Sequence, residues 1–383
     1  MNNKPMFTVI YGGTIYAPEL LGEKDVLVVG GKIALIDEHI NFPKNVPMKR
    51  IDATGKILIP GFIDLHVHVL GGGGEDGPAS RVTEISLSRL VSAGITTVVG
   101  VLGTDAITRS PEALLAKVKG LRVQGLTAFM YTGSYHLPSV TITGSVDRDI
   151  ALIKEVVGVK IAISDHRGSQ PTVEELTRLA SLARVGGMLG KKPGIVHVHV
   201  GAGPAGLAPI IEVAEKTCIP IRQFLPTHVN RSLTLLHQGA TYVKNGGYID
   251  LTAHAASDRG NSTDEIGALS DSGCDLSAVT ISSDGNGSMP KFNEVGELIG
   301  MNTGSVGVLH DTFVDLVQTR RLGMPEALQL FTANPAQRLG LAAAKGTINV
   351  GADADLIVLN EDLKIDKVFA GGRLLVDDRE GND

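Results

Sequence analysis

The sequence predicts an α/β protein: a (β/α)8 TIM barrel with a small β-sandwich domain formed by both termini. Three observations predict it. Eight short apolar segments alternate with helical patterns through the middle of the chain. Both ends carry short strands punctuated by Gly-Gly turns. Histidines, a lysine and an aspartate recur in or at the ends of the apolar segments.

The N-terminal strands are expected at Phe7–Tyr11, Thr14–Tyr16, Asp25–Val29 and Lys32–Ile36, with Gly12-Gly13 and Gly30-Gly31 as turns. The C-terminus repeats the pattern at Lys345–Ile348, Ala354–Leu359, Lys367–Ala370 and Arg373–Val376. Residues 1–56 and 344–383 are therefore read as one β-module around an inserted barrel, 57–343. Barrel strands are expected at 61–69, 95–102, 127–133, 158–164, 194–200, 221–227, 248–253 and 278–283. Helical patterns lie between them at 80–93, 110–123, 145–156, 172–188 and 231–245. A doubly wound open sheet is the alternative. No Gly-x-Gly-x-x-Gly opens a helix after the first barrel strand, and the Gly71–Gly74 run leads into acidic Glu75 and Asp76, a poor phosphate cradle.

Composition narrows the function. With 383 residues there is room for a barrel of roughly 250 residues and a smaller module. A formal charge of -6 and 20% charged residues give no basic surplus for nucleic acid or anionic lipid, so a small-molecule substrate is expected. Cys218 and Cys274 show no Cys-x-x-Cys spacing, which suits free thiols in a reducing cytoplasm. No membrane span or secretory leader is read in the sequence.

The chemistry begins with His66 and His68 in the apolar segment from Pro60 to Leu70. Residues two apart in a strand share a face, at ~6.5 Å along it, so the two imidazoles can grip one metal ion. His199, His228 and Asp284 close later apolar segments, and at the C-terminal mouth of a barrel they would converge with the pair. Imidazole and carboxylate together suit Zn, Mn or Fe. His197 shares a face with His199; the latter lies nearer the strand end and is taken as the ligand, leaving His197 a packing or supporting role. Asp284 could instead cap the turn that follows it. Lys160, inside an apolar strand, is either a snorkelling lysine or a desolvated neutral amine able to capture carbon dioxide as a metal-bridging carbamate.

These residues, with the Gly61–His68 segment and the run from Lys345 to Val358, resemble the amidohydrolase superfamily. Within it the chain resembles the isoaspartyl dipeptidases (β-aspartyl peptidases) over almost its whole length, notably at Leu70–Pro78, Gly133–Ser145, Ile163–Ser169, Leu225–Arg231 and Ser283–Ser288. The resemblance implies a cytoplasmic metallo-dipeptidase that hydrolyses the β-aspartyl amide of isoaspartyl dipeptides through a metal-bridging hydroxide. It implies two zinc ions per subunit: His66, His68 and Asp284 on one, His199 and His228 on the other, with carboxylated Lys160 as a bridge. It further implies Glu75 for the substrate α-ammonium, Arg231 for the α-carboxylate of the isoaspartyl residue and Arg167 for the carboxylate of the leaving residue. Tyr135 would polarise the scissile carbonyl, Thr104 and Ser288 would add hydrogen bonds, and Asp284 would move the proton. Homo-oligomers, an octamer among them, are also implied. At Val200–Gly203 the sequence departs from the polar residue expected after His199.

Two alternatives stay open. One is a cyclic-amide hydrolase of the dihydroorotase or hydantoinase type; the other is a catalytically inactive barrel that serves as an assembly protein. No Gly-x-Ser-x-Gly, His-Glu-x-x-His or Cys-x-x-Cys motif offers a competing mechanism.

Overall fold

The computed structural model describes residues 7–41, 45–254, 261–292 and 298–377. The chain opens with β1 (Phe7–Tyr16), β2 (Leu20–Val29), β3 (Lys32–Asp37), β4 (Met48–Asp52) and β5 (Ile57–Pro60). The strands expected on either side of Gly12-Gly13 are one strand. Gly12, at φ 71°, makes a bulge there, and the register with β2 shifts between Ile10 and Gly13 instead of reversing the chain.

Eight parallel strands follow: β6 (Phe62–Val67), β7 (Ile95–Gly100), β8 (Thr127–Gly133), β9 (Val156–Ile163), β10 (Ile195–Val200), β11 (Phe224–Thr227), β12 (Ile249–Thr252) and β13 (Val279–Ser282). β6 to β11 form one six-stranded sheet in sequential order, and β12 pairs with β13. A parallel bridge between Val67 and Gly285 brings the end of β13 back to β6, so the arrangement is TIM-barrel-like. The helices are α1 (Leu87–Ser92), α2 (Pro111–Gln124), α3 (Val146–Leu152), α4 (Val173–Gly190), α5 (Ala208–Lys216), α6 (Leu233–Lys244), α7 (Ser262–Asp271), α8 (Val308–Gln318), α9 (Met324–Phe331) and α10 (Ala333–Arg338).

Alternation along the strands sorts the two faces. Val159, Ile161, Val196, Val198, Ile249, Leu251, Val279 and Ile281 pack with the helices in the large apolar cluster. Their neighbours Lys160, His197, His199, Asp250, Thr280 and Ser282 are also buried, on the opposite face. Burial on both faces is why these segments read as near-continuous apolar runs.

The helix expected over 80–93 is only Leu87–Ser92. The preceding carbonyls are committed elsewhere: Val82 O accepts from Arg109 and Thr83 O from Asn286, which holds that stretch extended. The 145–156 helix stops at Leu152 and β9 starts at Val156, earlier than expected. An antiparallel hairpin, β14 (Ser288–Phe292) with β15 (Leu298–Thr303), follows the barrel strands and had no counterpart among the expected elements.

The C-terminus adds β16 (Leu356–Leu359), β17 (Ile365–Ala370) and β18 (Arg373–Asp377). β16 pairs antiparallel with β5, so both ends of the chain share one eight-stranded sheet. Ile10, Val26, Ile33, Leu58, Leu356 and Phe369 pack together there. The strand expected at Lys345–Ile348 is a turn. Lys345 is drawn into ion pairs with Asp355 (2.5 Å) and Asp353 (2.9 Å), and Gly346 has φ 74°. Among the described residues no helix is long and apolar enough to cross a membrane.

Candidate metal centre and active site

His66 lies in β6 and His68 just beyond it, Lys160 within β9, His199 in β10, His228 after β11 and Asp284 after β13. Single ligand atoms from His66, His228 and Asp284 lie within 4.8 Å of one another. His66 Nε2 and His68 Nε2 stand 3.4 and 3.3 Å from Asp284 Oδ1, and Lys160 Nζ is 2.7 Å from His66 Nε2. His199 and His228 stack edge to face with ring centroids 4.6 Å apart. The six residues chosen from the sequence therefore form one cluster, in which Asp284 is half-buried and the other five are buried.

Backbone geometry sharpens it. His228 and Asp284 adopt left-handed conformations, φ 64° and 49°, a strain of roughly 1–3 kcal/mol each that surrounding structure must hold in place. Glycine is required alongside. A Cβ at Gly287 would meet Asp284 Oδ1 at 2.8 Å, and one at Gly103 would meet His68 Cε1 at 2.8 Å.

The protonation states suit metal binding. Burial drives His66, His68 and His228 below the ordinary imidazole value, and lowers His199 to about 3 although Asp165 pulls the other way. Neutral imidazole is the form that ligates. Burial pushes Lys160 down to about 7, so an uncharged amine is accessible at neutral pH. Burial opposes ionisation of Asp284, but His68 and Lys160 beside it hold its carboxyl below the usual range. Asp284 Oδ1 is buried with no hydrogen-bond donor aligned on it. Neutral imidazoles, an ionised carboxylate with a bare oxygen and glycine-cleared space together fit a divalent metal.

Supporting residues fix these groups, and the sequence reading missed most of them. His199 Nε2 is 2.8 Å from Asp165 Oδ2, and its Nδ1 is 2.8 Å from the Tyr135 hydroxyl. With Nε2–H on the carboxylate, Nδ1 keeps its lone pair, the arrangement that orients metal-binding histidines. His228 Nδ1 contacts the Thr252 hydroxyl at 2.6 Å, leaving Nε2 for a ligand. Buried Asp64 accepts from His66 N–H (3.1 Å) and from the Ser283 hydroxyl (2.5 Å), and burial raises its pKa to about 7. Asp250 accepts from Thr227, Thr280 and Ser282 hydroxyls, and burial raises it to about 6. His197 Nε2 lies 2.9 Å from His66 Nδ1. Asp64 had a signal: it precedes His66 and His68 at the same two-residue spacing inside an apolar run.

The rim residues are also placed. Ser288 donates to Glu75 (3.0 Å to Oε2) and accepts from Gly73 N–H at 2.6 Å. Arg167 grips Asp165 with two hydrogen bonds, 3.0 and 2.9 Å, and lies 3.7 Å from Glu75. Its guanidinium is thus partly committed to Asp165, and that bond raises its pKa further. Arg231 donates Nε–H to Val200 O at 3.1 Å, is exposed, and makes no carboxylate pair among the described residues. It borders a cavity of about 260 Å³ lined by Gly201, Ala202, Gly203 and Pro204, the loop where the sequence departs from expectation. Tyr135 is 5% exposed, and burial raises its pKa well above the usual phenol value, so its hydroxyl stays a donor. Thr104 Oγ1 is buried with no hydrogen-bond partner.

The profile of the amidohydrolase family matches residues 57–375. A β-aspartyl dipeptidase of Fervidobacterium islandicum AW-1, solved in complex with the β-Asp-Leu dipeptide, is 43% identical, with a TM-score of 0.94, over 100% of this chain and 99% of that one. A dihydroorotase of Pelotomaculum thermopropionicum is 26% identical over 410 residues, 94% of this chain and 90% of the relative. A D-hydantoinase structure, 18% identical with a TM-score of 0.67 over 97% of this chain and 95% of that one, shares the fold. The ligand-bearing strands and these matches together place the chain in the amidohydrolase family, among its β-aspartyl dipeptidases.

Proposed function

We propose that this protein is a zinc-dependent isoaspartyl dipeptidase. The observation that carries the reading is one charge pattern: a cluster of neutral imidazoles and one ionised carboxylate, with Glu75, Arg167 and Arg231 at its rim. An isoaspartyl dipeptide carries one ammonium and two carboxylates around its amide, so one anion and two guanidiniums match it. Arginine's planar fork suits carboxylates.

In this reading His66, His68, Lys160 as its carbamate, His199, His228 and Asp284 would hold the zinc. When bound, the metals lower the pKa of water toward ~7 and polarise the carbonyl. Glu75 receives the α-ammonium, Arg231 the α-carboxylate and Arg167 the carboxylate of the leaving residue. The Tyr135 hydroxyl donates to the scissile carbonyl oxygen, displacing its contact with His199. Thr104 and Ser288 add hydrogen bonds to the bound dipeptide. Asp284 accepts the proton of the attacking water and delivers it to the departing amine.

The architecture that goes with this reading is a closed (β/α)8 barrel, 57–343, with residues 1–56 and 344–383 as a β-sandwich joined to it through β5. A cytoplasmic homo-oligomer completes the proposal. The decisive experiment compares β-Asp-Leu, α-Asp-Leu, dihydroorotate and hydantoin on protein of known zinc content. Hydrolysis of β-Asp-Leu alone is expected. Ring opening of dihydroorotate without β-Asp-Leu turnover would transfer the chain to the cyclic-amide hydrolases.

A further inference from the structure

Arg109 belongs to neither the ligand cluster nor the rim, yet it is only 7% exposed and spends its donors on the backbone. Nη2 donates to Gly72 O at 2.9 Å and Val82 O at 3.1 Å, Nη1 to Gly73 O at 3.4 Å, and Nε to Leu70 O at 3.4 Å. Nη1 also pairs with Asp105 Oδ2 at 2.9 Å. The segment so held runs from just after His68 to just before Glu75. It has almost no side chains with which to hold itself. Gly71 and Gly73 sit at φ 85° and 77°, and a Cβ there would meet Val82 O at 2.1 Å and Ser80 O at 2.2 Å. The close packing that excludes side chains from this loop leaves its carbonyls for one buried guanidinium to fix.

The other end of the clamp is equally fixed. Asp105 follows Thr104 and accepts from Ile107 N–H at 3.1 Å, Thr108 N–H at 2.8 Å and the Thr108 hydroxyl at 2.5 Å. Gly73, whose carbonyl Arg109 holds, donates its N–H to the Ser288 hydroxyl that in turn reaches Glu75.

We propose that Arg109 is a positioning residue for ammonium recognition. It locks the glycine loop to the Thr104–Arg109 turn and thereby sets where Glu75 stands. The inference rests on the reading of Glu75 as the receiver of the substrate α-ammonium. A charge pair loses strength when one member drifts, so a loosened loop should blur selection for the amino group more than it disturbs the metal cluster.

The test is the ratio of kcat/KM for β-Asp-Leu to that for succinyl-leucine, which lacks only the α-amino group. Arg109→Gln is expected to lower this ratio at least tenfold with zinc content unchanged. In a Glu75→Gln background the same substitution should lower the ratio by less than threefold, because the group it positions is already gone. A ratio in Arg109→Gln within twofold of wild type overturns the inference, as does a double variant that loses the full product of the two single effects. Where Arg109→Gln does not fold, Asp105→Asn serves. It weakens the guanidinium's anchor and leaves the carbonyl contacts, and an unchanged ratio there is equally fatal. Wild-type protein that hydrolyses both substrates equally removes Glu75 and Arg109 together, while failure to hydrolyse β-Asp-Leu at all refutes the dipeptidase reading itself.

Discussion

Lys160 is fully buried and shares its surroundings with His66, Tyr135 and Asp284, so its chemistry is set by desolvation. An amine pushed down to about 7 is largely a nucleophile at slightly alkaline pH and can take up carbon dioxide. Lys160→Ala should reduce hydrolysis of β-Asp-Leu at least a thousandfold, and short carboxylic acids should restore part of it by filling the space. Near-normal turnover of the variant without additive would refute the bridging role. Arg231 makes a different case, because it is exposed and anchored only through Nε to Val200 O, leaving its terminal nitrogens free of any carboxylate pair among the described residues. A charge-assisted hydrogen bond is worth ~1.5–3 kcal/mol, so Arg231→Met should lower kcat/KM for β-Asp-Leu roughly ten- to a hundredfold. Zinc analysis of the same preparation should give the wild-type value; turnover equal to wild type would remove Arg231 as the reader of the α-carboxylate. His66 and His68 were legible as candidate ligands because a two-residue spacing in an apolar strand is itself a geometric statement. Asp165 and Thr252 were not, since a lone Asp or Thr beyond a strand carries no pattern until the chain folds it against His199 or His228.

At the scale of the element, β6 and the end of β13 meet at the Val67–Gly285 bridge, and Asp64 is the polar tie between them. Its carboxyl lies within 3.2 Å of Ser283 N–H and accepts the Ser283 hydroxyl, all inside the barrel. Asp64→Ala would leave those buried donors unpaired, at about 2–4 kcal/mol. Denaturant unfolding of the metal-free variant should show a loss of that size, whereas an unchanged midpoint would mean the tie is replaced by water at no expense. The turn after β13 is as demanding. With Asp284 Oδ1 and Asp284 O at 2.8 and 2.9 Å from the position of a new Cβ, Gly287→Ala should displace the Asp284 carboxylate. Metal content should fall with activity, and retention of both would show that the turn relaxes without moving the ligand. The eight barrel strands were read from apolar runs to within about three residues at each end. Helix α1 was not, because the loss of its first turns follows from Arg109 and Asn286 taking the carbonyls of 82 and 83, partners distant in sequence.

For the molecule as a whole, the candidate ligands come from β6, β9, β10 and from the ends of β11 and β13, so a metal held by them would join strands far apart in the chain. A ligand that binds only the folded state stabilises it by RT ln(1 + [L]/Kd). Dialysis against a strong chelator should therefore abolish hydrolysis and also lower the melting temperature, by on the order of 5 °C or more, with recovery on adding zinc. A melting curve unmoved by chelation, in protein shown to have lost its metal, would mean the cluster folds independently of its ions. The terminal sheet bears on the same question. β5 pairs with β16 and leads through Gly61 directly into β6, so the sheet made by both ends is mechanically continuous with the strand that carries His66.

The sequence alone determined the alternation of strands and helices, the set of candidate metal ligands and the meeting of the two ends. Each is written in local pattern: apolar runs, glycine turns and histidine spacing. Only the tertiary structure decided which oxygen or nitrogen each ligand turns toward its neighbours, that Asp165 holds both His199 and Arg167, that Asp64 and Asp250 stay buried among hydroxyls, and that Arg109 holds the glycine loop. Those contacts join residues between 2 and 219 positions apart, and the long-range ones arise from closing the strands upon one another, which no window of sequence encodes.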